Sequence, residues 1–209
     1  MPSAAAPLTT ADRILDAAED LFAERGYTAT SLGDVADRVG IRSPSLYNHF
    51  RNKEALYLAV VERLLQGFVA PLEALRNQPL AREHVLEWLE TTVRLHHARP
   101  NLARLVQHAA LSGGPQSREL TTALIRPMFD SREQVEADLP GLSKRLQPWA
   151  IMALNNMVMS YITMAPMYES LLGENPLGPA AQEKQLELIM NLANLVLDGH
   201  PEDGLSSVP

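Results

Sequence analysis

Apolar residues in this chain recur mostly at intervals of three and four, the spacing of one face of an α-helix. A Thr9-x-x-Asp12 start signal opens the first such stretch, and Gly26 can end it. A second amphipathic stretch begins near residue 32 and reaches only two turns before Gly40. The pattern therefore predicts one longer helix followed by a short one.

A third helix is predicted directly after the turn at residues 40–42. Ser43 is a candidate N-cap, and Pro44 occupies the first turn, where its missing N–H costs nothing. Leu46 and Phe50 are four residues apart and would face inward. A supporting helix followed by two short helices and a tight turn is the arrangement of a helix-turn-helix, whose second helix lies in a DNA major groove. Helical bundles without DNA-binding activity can also contain such a turn.

The rest of the chain continues in helical pattern, interrupted by Pro and Gly. We expect helices over 53–76, 81–98, 101–111, 117–138, 147–172 and 181–198. Leu and Ala together number 59, against 27 for Val, Ile and Thr, which favours helix over sheet. The sequence therefore predicts an all-α protein of about nine helices. It has a helix-turn-helix domain over 8–52, a larger helical domain over 53–199 that begins with a connecting helix at 53–76, and a frayed tail over 200–209.

Charge sharpens the interpretation of the N-terminal region. The chain carries 18 basic and 25 acidic side chains, a net charge of −7, yet residues 38–53 contain four cations and no acid. These cations are Arg38, Arg42, Arg51 and Lys53. A local cationic patch on an acidic protein suits a reader of the DNA groove, although a solvated polar helix face is the alternative.

Composition and motifs argue against other classes of function. The absence of Cys excludes disulfides, thiolate-bound zinc, iron–sulfur clusters and thiol catalysis. Zincin, nucleophile-elbow, phosphate-loop and dinucleotide motifs are also absent, and the adjacent histidines at 96 and 97 point about 100° apart on a helix. We therefore expect a non-enzyme with no metal and no cofactor. The first ten residues lack the features of a signal peptide, so we expect a cytoplasmic protein without membrane association.

Residues 10–56 resemble the DNA-binding region of TetR/AcrR-type transcriptional regulators. The resemblance rests on AA-x-x-LF-x-x-x-G in the first helix, TS-x-x-D-x-A in the second and S-L-Y-x-H-F in the third. It implies a homodimer in which two copies of the helix at 43–49 read adjacent major grooves of a pseudo-palindromic operator. It also implies that the larger C-terminal domain binds a small effector.

The same resemblance assigns candidate DNA contacts by position. The groove-facing residues would be Ser43, Pro44, Tyr47 and Asn48, and the phosphate contacts would be Ser31, Ser45, His49 and Lys53. Two positions depart from the family pattern. Arg42 stands where the family often has a small capping residue, so we expect it to add a contact to phosphate or base. Gly33 stands where relatives often carry a longer side chain that reaches a base, which predicts fewer direct contacts here.

The helix predicted at 147–172 contains five of the eight methionines. Dense packing in the core or at a dimer interface would explain this, and so would an adaptable apolar cavity, because Met side chains conform to varied shapes. Asn155 and Asn156 could bond an effector or a partner subunit, and the sequence does not choose between these. The candidate effector-pocket residues are Trp88, His108, Phe129, Trp149, Met152, Asn156 and Met159.

Two apolar stripes, on the helices at 147–172 and 181–198, exceed what one thin helical layer covers. Pairing with a second copy would form a four-helix interface, whereas complete burial within one chain is the alternative. The resemblance favours the dimer. The candidate interface residues are Leu186, Ile189, Met190, Ala193, Val196 and Leu197.

The combined interpretation is a repressor that a small, largely apolar effector releases from its operator by favouring a conformer with wrongly spaced recognition helices. Its partners would be double-stranded operator DNA, the effector and a second copy of the chain. The alternative is a helical small-molecule binding or sequestering protein whose helix-turn-helix is only structural. Salt-dependent, sequence-specific binding to duplex DNA separates the two hypotheses.

Overall fold

The computed structural model describes residues 8–76, 81–126 and 147–198. Within these ranges the chain is helical and contains no strand, which confirms the all-α prediction. The helices are α1 (Thr10–Ala29), α2 (Leu32–Val39), α3 (Ser43–Tyr47), α4 (Lys53–Arg76), α5 (Arg82–Ala98), α6 (Pro100–Ser112), α7 (Gly114–Leu120), α8 (Gln147–Leu172) and α9 (Pro179–Leu197). A π-helical turn, Thr121–Ile125, continues α7. Phe129, the predicted helix beyond residue 126 and the predicted frayed tail lie outside the described residues.

The predicted start signal of α1 forms a capping box, and α2 begins in the same way. The Thr9 hydroxyl accepts a hydrogen bond from the Asp12 N–H, and the Asp12 carboxylate accepts one from the Thr9 N–H. Ser31 and Asp34 repeat this arrangement at the start of α2. Each box satisfies N–H groups that a helix start leaves unpaired, which fixes where α1 and α2 begin.

The first four helices share one hydrophobic cluster with α6. Phe22 of α1, Leu46 of α3, Val60 of α4 and Leu105 of α6 are all buried in this cluster. The cluster passes through α4 without a break, although residue 53 is where the sequence predicts a new domain. The N-terminal helices are therefore packed directly against α6, so a movement of α6 reaches α1 and α4 through side-chain contacts.

A second apolar layer joins α5, α8 and α9. Val93, Val158, Leu186 and Ile189 are buried together there, and Met159 packs with Ala103 of α6 and Ile162. Together these contacts hold the three C-terminal helices against α6.

This packing corrects the predicted dimer stripe on α9. Leu186, Ile189, Ala193 and Leu197 are buried within the chain, and Met190 packs against the same layer. Only Val196 of the predicted set is exposed. The error has a physical cause: α9 is apolar on more than one side, so periodicity did not show which stripe meets α5 and α8. The apolar residues that α9 exposes are Leu188, Leu195 and Val196.

In the described residues, we find no helix with the length and apolar content needed to cross a membrane.

Candidate nucleic-acid interface

Helix α3 divides its side chains between the core and the surface. Leu46 is completely buried and Phe50 packs against the same cluster, as the four-residue spacing predicts. The neighbouring Tyr47 is 55% exposed. Ser43, Pro44, Asn48 and His49 are also exposed, and Ser45 is half-buried. The outer face of α3 thus presents hydroxyl, amide and imidazole groups, which can bond base edges and phosphate oxygens.

The turn between α2 and α3 is fixed from two directions. Gly40 has a φ of 76°, a left-handed conformation that favours glycine, and its N–H donates to the carbonyl oxygens of Ala36 and Asp37. The Arg13 guanidinium of α1 donates to the Val39 carbonyl oxygen at 2.7 Å. Because both contacts hold the C-terminal end of α2, the direction in which α3 leaves the turn is set by the N-terminal core.

An open groove of about 680 Å³ lies between the α1–α2 turn, the end of α3 and the start of α4. Ser31 at the start of α2 and Asn52 at the start of α4 both line it. The Asn52 side chain accepts a hydrogen bond from the Ala55 N–H at 2.8 Å, which caps α4. Two helix N-termini therefore meet at one groove. Their N–H groups and partial positive charge favour an anion such as a DNA phosphate.

Lys53 has a structural task that its sequence position does not reveal. Its ammonium donates to the carbonyl oxygens of Thr30 at 2.7 Å and Thr28 at 3.4 Å. It also lies 4.3 Å from the centre of the Tyr27 ring. Burial lowers the pKa of Lys53, and the charge of Asp34 opposes that shift. An ammonium has three N–H donors, so Lys53 can hold the α1–α2 turn and still offer one N–H to a phosphate.

The other cations of the predicted patch differ in their partners. Arg38 lies 3.6 Å from Glu24. Arg42 and Arg51 are exposed and form no ion pair within the described residues. Arg51 lines the groove, although the family resemblance did not single it out. Gly33 also lines the groove, and a Cβ there would meet only the Ser31 hydroxyl, at 3.5 Å.

The predicted effector-pocket residues do not gather at one place. Trp88 is half-buried on α5, Met159 is buried on α8, and His108 lies beside α1 at a separate cavity. Trp149, Met152 and Asn156 are exposed on α8, which corrects their assignment to an enclosed pocket. The physical reason is that α8 is apolar nearly all round, so its inner and outer faces look alike in the sequence.

Two buried histidines on α5 were missed as candidate site residues. His96 is 3% exposed and its Nδ1 bonds the Thr92 carbonyl oxygen at 2.9 Å. Burial lowers the pKa of His96, which keeps its ring neutral. His97 bonds the Gln185 side chain through Nε2. Among the described residues, His96 Nε2 and His97 Nδ1 are buried without a hydrogen-bond partner. Adjacent histidines gave no sequence signal for this, because burial depends on what α5 packs against.

Known proteins that are similar to this chain include regulators of the helix-turn-helix type, in agreement with the arrangement of α1, α2 and α3. Residues 14–60 match the profile of a family described as bacterial regulatory proteins, tetR family. The HTH-type transcriptional regulator RutR of Escherichia coli K12 is 29% identical over 124 residues, which cover 59% of this chain and 58% of RutR. The HTH-type transcriptional repressor ComR of the same organism is 46% identical over 63 residues, 30% of each chain.

A solved structure extends the likeness to the C-terminal helices. The crystal structure of Mycobacterium smegmatis AmtR has a TM-score of 0.67 and 24% sequence identity, and the match covers 97% of this chain and 92% of that one. The fold is therefore shared over nearly the whole chain. The family profile, in contrast, matches residues 14–60 alone.

Proposed function

We propose that the chain, whose residues 14–60 match the profile of the tetR family of bacterial regulatory proteins, is a ligand-responsive repressor that binds a pseudo-palindromic operator as a homodimer. The observation that carries the proposal is the exposed polar face of α3 beside a groove where two helix N-termini meet. A major groove admits one α-helix, and phosphates flank it on both sides.

In the proposed complex, α3 enters the major groove. Its base-facing residues are Ser43, Pro44, Tyr47 and Asn48, and the phosphate contacts are Ser31, Ser45, His49 and Lys53. Arg42 and Arg51 add charge at the edge of the groove, because neither is paired with an acid in the described residues. Gly33 contributes no side chain, so base recognition rests on α3.

We propose that the dimer forms through the outward faces of α8 and α9. Met167 and Leu171 of α8 and Leu188 and Leu195 of α9 are each more than half exposed. Their spacings, four residues on α8 and seven on α9, align them along one face of each helix. Exposed apolar surface of this kind marks protein interfaces, and two such helix pairs make a four-helix bundle around a two-fold axis.

The proposed effector is a small, largely apolar molecule held among the C-terminal helices. The unpartnered nitrogens of His96 and His97 support this, because a buried polar atom without a partner costs about 1–3 kcal/mol that a ligand hydrogen bond can recover. An effector that prefers the conformer with wrongly spaced α3 helices lowers operator affinity. A coupling of about 1–3 kcal/mol changes that affinity roughly 5- to 150-fold.

The test of DNA binding is selection of duplexes from a random pool, followed by titration of the selected duplex over a salt series. We expect a two-fold symmetric consensus and an affinity that falls steeply with salt. Weak association without sequence preference would contradict the proposal and favour a sequestering protein with a structural helix-turn-helix.

The test of the effector is a thermal-shift screen of lipophilic compounds, followed by operator titration with each hit. A ligand selective for the released conformer raises the melting temperature and weakens operator binding. Hits that stabilise the protein without changing operator affinity would contradict coupling.

A further inference from the structure

A second, more enclosed cavity lies between the DNA-reading helices and the C-terminal helices. Its volume is about 230 Å³. One wall is formed by Phe22 and Tyr27 of α1 and Tyr57 of α4, whose rings contact one another at centroid distances of 5.1–6.0 Å. The opposite wall is formed by the end of α6 and the turn that leads into α7. A cavity of about 150 Å³ accepts benzene, so this one can hold a substituted aromatic ring.

The cavity is lined by polar groups that form no hydrogen bond to described residues and are not enclosed away from accessible space. Tyr57 is only 3% exposed, yet its hydroxyl forms no hydrogen bond to any described residue. Burial raises the pKa of Tyr57 to about 12, so the hydroxyl keeps its proton and can donate. The imidazole of His108 and the hydroxyl of Ser112 also line the cavity. The Tyr57 hydroxyl is not one of the enclosed atoms that lack a partner, so it faces accessible space, where it can donate a hydrogen bond to a ligand acceptor.

The lining defines the charge of a suitable ligand. None of the described residues that line the cavity is an Asp, Glu, Lys or Arg. A charged molecule would lose its hydration there without gaining an ionic partner, which is costly in a partly enclosed site. A neutral ring can stack against the aromatic wall while its acceptor bonds Tyr57.

We propose that this cavity is a binding site for a small, neutral aromatic molecule that carries a hydrogen-bond acceptor, such as an aromatic amide or a phenol. The site is separate from the proposed effector region around His96 and His97. Its walls belong to α1 and α4 on one side and to the α6–α7 turn on the other. A bound molecule therefore contacts both the DNA-reading helices and the C-terminal helices and holds their relative position.

The experiment measures binding by fluorine NMR line broadening of 4-fluorobenzamide and 4-fluorophenol in the presence of the full chain. 4-Fluorobenzoate serves as the anionic probe of nearly the same shape. Tyr57→Phe removes the hydroxyl and keeps the ring, and Ser112→Trp blocks the cavity from its exposed rim. Ala110→Trp, on the exposed side of the same helix, is the matched control. Thermal melting checks that each variant is folded.

We expect the neutral probes to broaden with the parent chain and with Ala110→Trp, and the anionic probe to remain sharp. Tyr57→Phe should weaken the amide about two- to twelvefold, the equivalent of one hydrogen bond, and Ser112→Trp should abolish broadening. No broadening with the parent chain would overturn the proposal, as would unchanged binding in both variants or equal binding of 4-fluorobenzoate. Operator titration is a separate readout: its failure contradicts the proposed function, whereas the fluorine signal alone decides the site.

Discussion

At the scale of single residues, Leu46 and Tyr47 carry the two roles of α3. A helix of five residues has little stability of its own, so α3 depends on the burial of Leu46 against α1 and α2. Tyr47 is the next residue along the helix and points to solvent, where it contributes nothing to that core. Substituting Leu46 and Tyr47 one at a time therefore separates the contribution of α3 to core stability from its proposed contact with DNA.

We predict that Tyr47→Ala weakens operator binding by about 1–3 kcal/mol and leaves the free energy of unfolding nearly unchanged, because the proposed contact of this exposed side chain is with DNA rather than with the core. Leu46→Ala is the opposite control and should cost about 2–5 kcal/mol of stability. Urea denaturation and fluorescence anisotropy measure the two quantities. Parent-like affinity in Tyr47→Ala would remove the residue from the interface.

Lys53 provides a second prediction at this scale. Lys53→Met should lower operator affinity and reduce the slope of log affinity against log salt by about one counterion. Lys184→Met is the matched control, because Lys184 of α9 pairs with Glu174 of the α8–α9 turn at 2.9 Å, away from the proposed DNA interface, and should leave the slope unchanged. A lower affinity with an unchanged slope in Lys53→Met would mean that Lys53 only holds the α1–α2 turn.

At the scale of helices, Gly26 interrupts α1 and allows α6 to approach. Its φ and ψ are 77° and 171°, a region that is essentially restricted to glycine. A Cβ on Gly26 would lie 3.1 Å from His108 Nδ1. Both backbone strain and contact with α6 therefore require glycine at this position.

Gly26→Ala should lower the free energy of unfolding by about 1–3 kcal/mol through backbone strain alone. Gly33→Ala is the control, since Gly33 has helical geometry and a Cβ there would make only an ordinary contact with the Ser31 hydroxyl, at 3.5 Å, and it should raise stability by up to about 1 kcal/mol. The double variant Gly26→Ala/His108→Ala should recover only the part of the lost stability that comes from contact between the new Cβ and the His108 side chain. Urea titrations of all four proteins provide the check, and a neutral Gly26→Ala would refute the assignment.

A polar network connects α1, α4 and α6. Arg63 of α4 donates to the carboxylates of Asp16 and Glu19 on α1, each at 2.7 Å. Glu19 also accepts from Asn101 of α6 at 3.1 Å. This shared carboxylate is a direct contact between the DNA-reading helices and the helices that would hold the effector.

Arg63→Met should reduce stability by about 1–2 kcal/mol, a value discounted for the partial exposure of the pairs. It should also weaken the coupling between effector and operator, because the network positions α1 against α4 and α6. A double-mutant cycle with Glu19→Gln measures the interaction, and operator titration with and without ligand measures the coupling. Full coupling in Arg63→Met would exclude the network as a transmitter.

At the scale of the whole molecule, the exposed apolar residues of α8 and α9 indicate where the proposed dimer interface lies. Leu195→Glu should split the dimer without unfolding the chain, because Leu195 is 71% exposed. Operator affinity should fall with it, since a monomer reaches one half-site. Light scattering and circular dichroism check the two statements.

Two controls separate dimerisation from folding. Leu111→Glu makes the same change on α6 at a residue that is 86% exposed and should leave the dimer intact. Ala193→Glu places a charge at a buried position and should unfold the chain rather than only separate the subunits. An intact dimer in Leu195→Glu would show that the interface lies elsewhere.

Interactions between residues close in the sequence made the N-terminal helices predictable. Capping boxes, a left-handed glycine and the pair Leu46 and Phe50 act over a few residues, so these residues predict where α1 and α2 begin and which side of α3 is exposed. The predicted N-cap Ser43 was wrong: Arg42 is the N-cap of α3, and no side chain caps this helix. The family profile matches residues 14–60, which contain all of these features except the Thr9–Asp12 capping box.

Only the tertiary structure decided which faces of α8 and α9 are internal. Both helices are apolar on several sides, and the periodicity of apolar residues identifies the buried face of a helix only when the opposite face is polar. The second task of Lys53, the buried histidines and the cavity beside Tyr57 likewise arise from contacts between residues distant in sequence. Contacts of that kind depend on how helices pack, which short-range patterns do not encode.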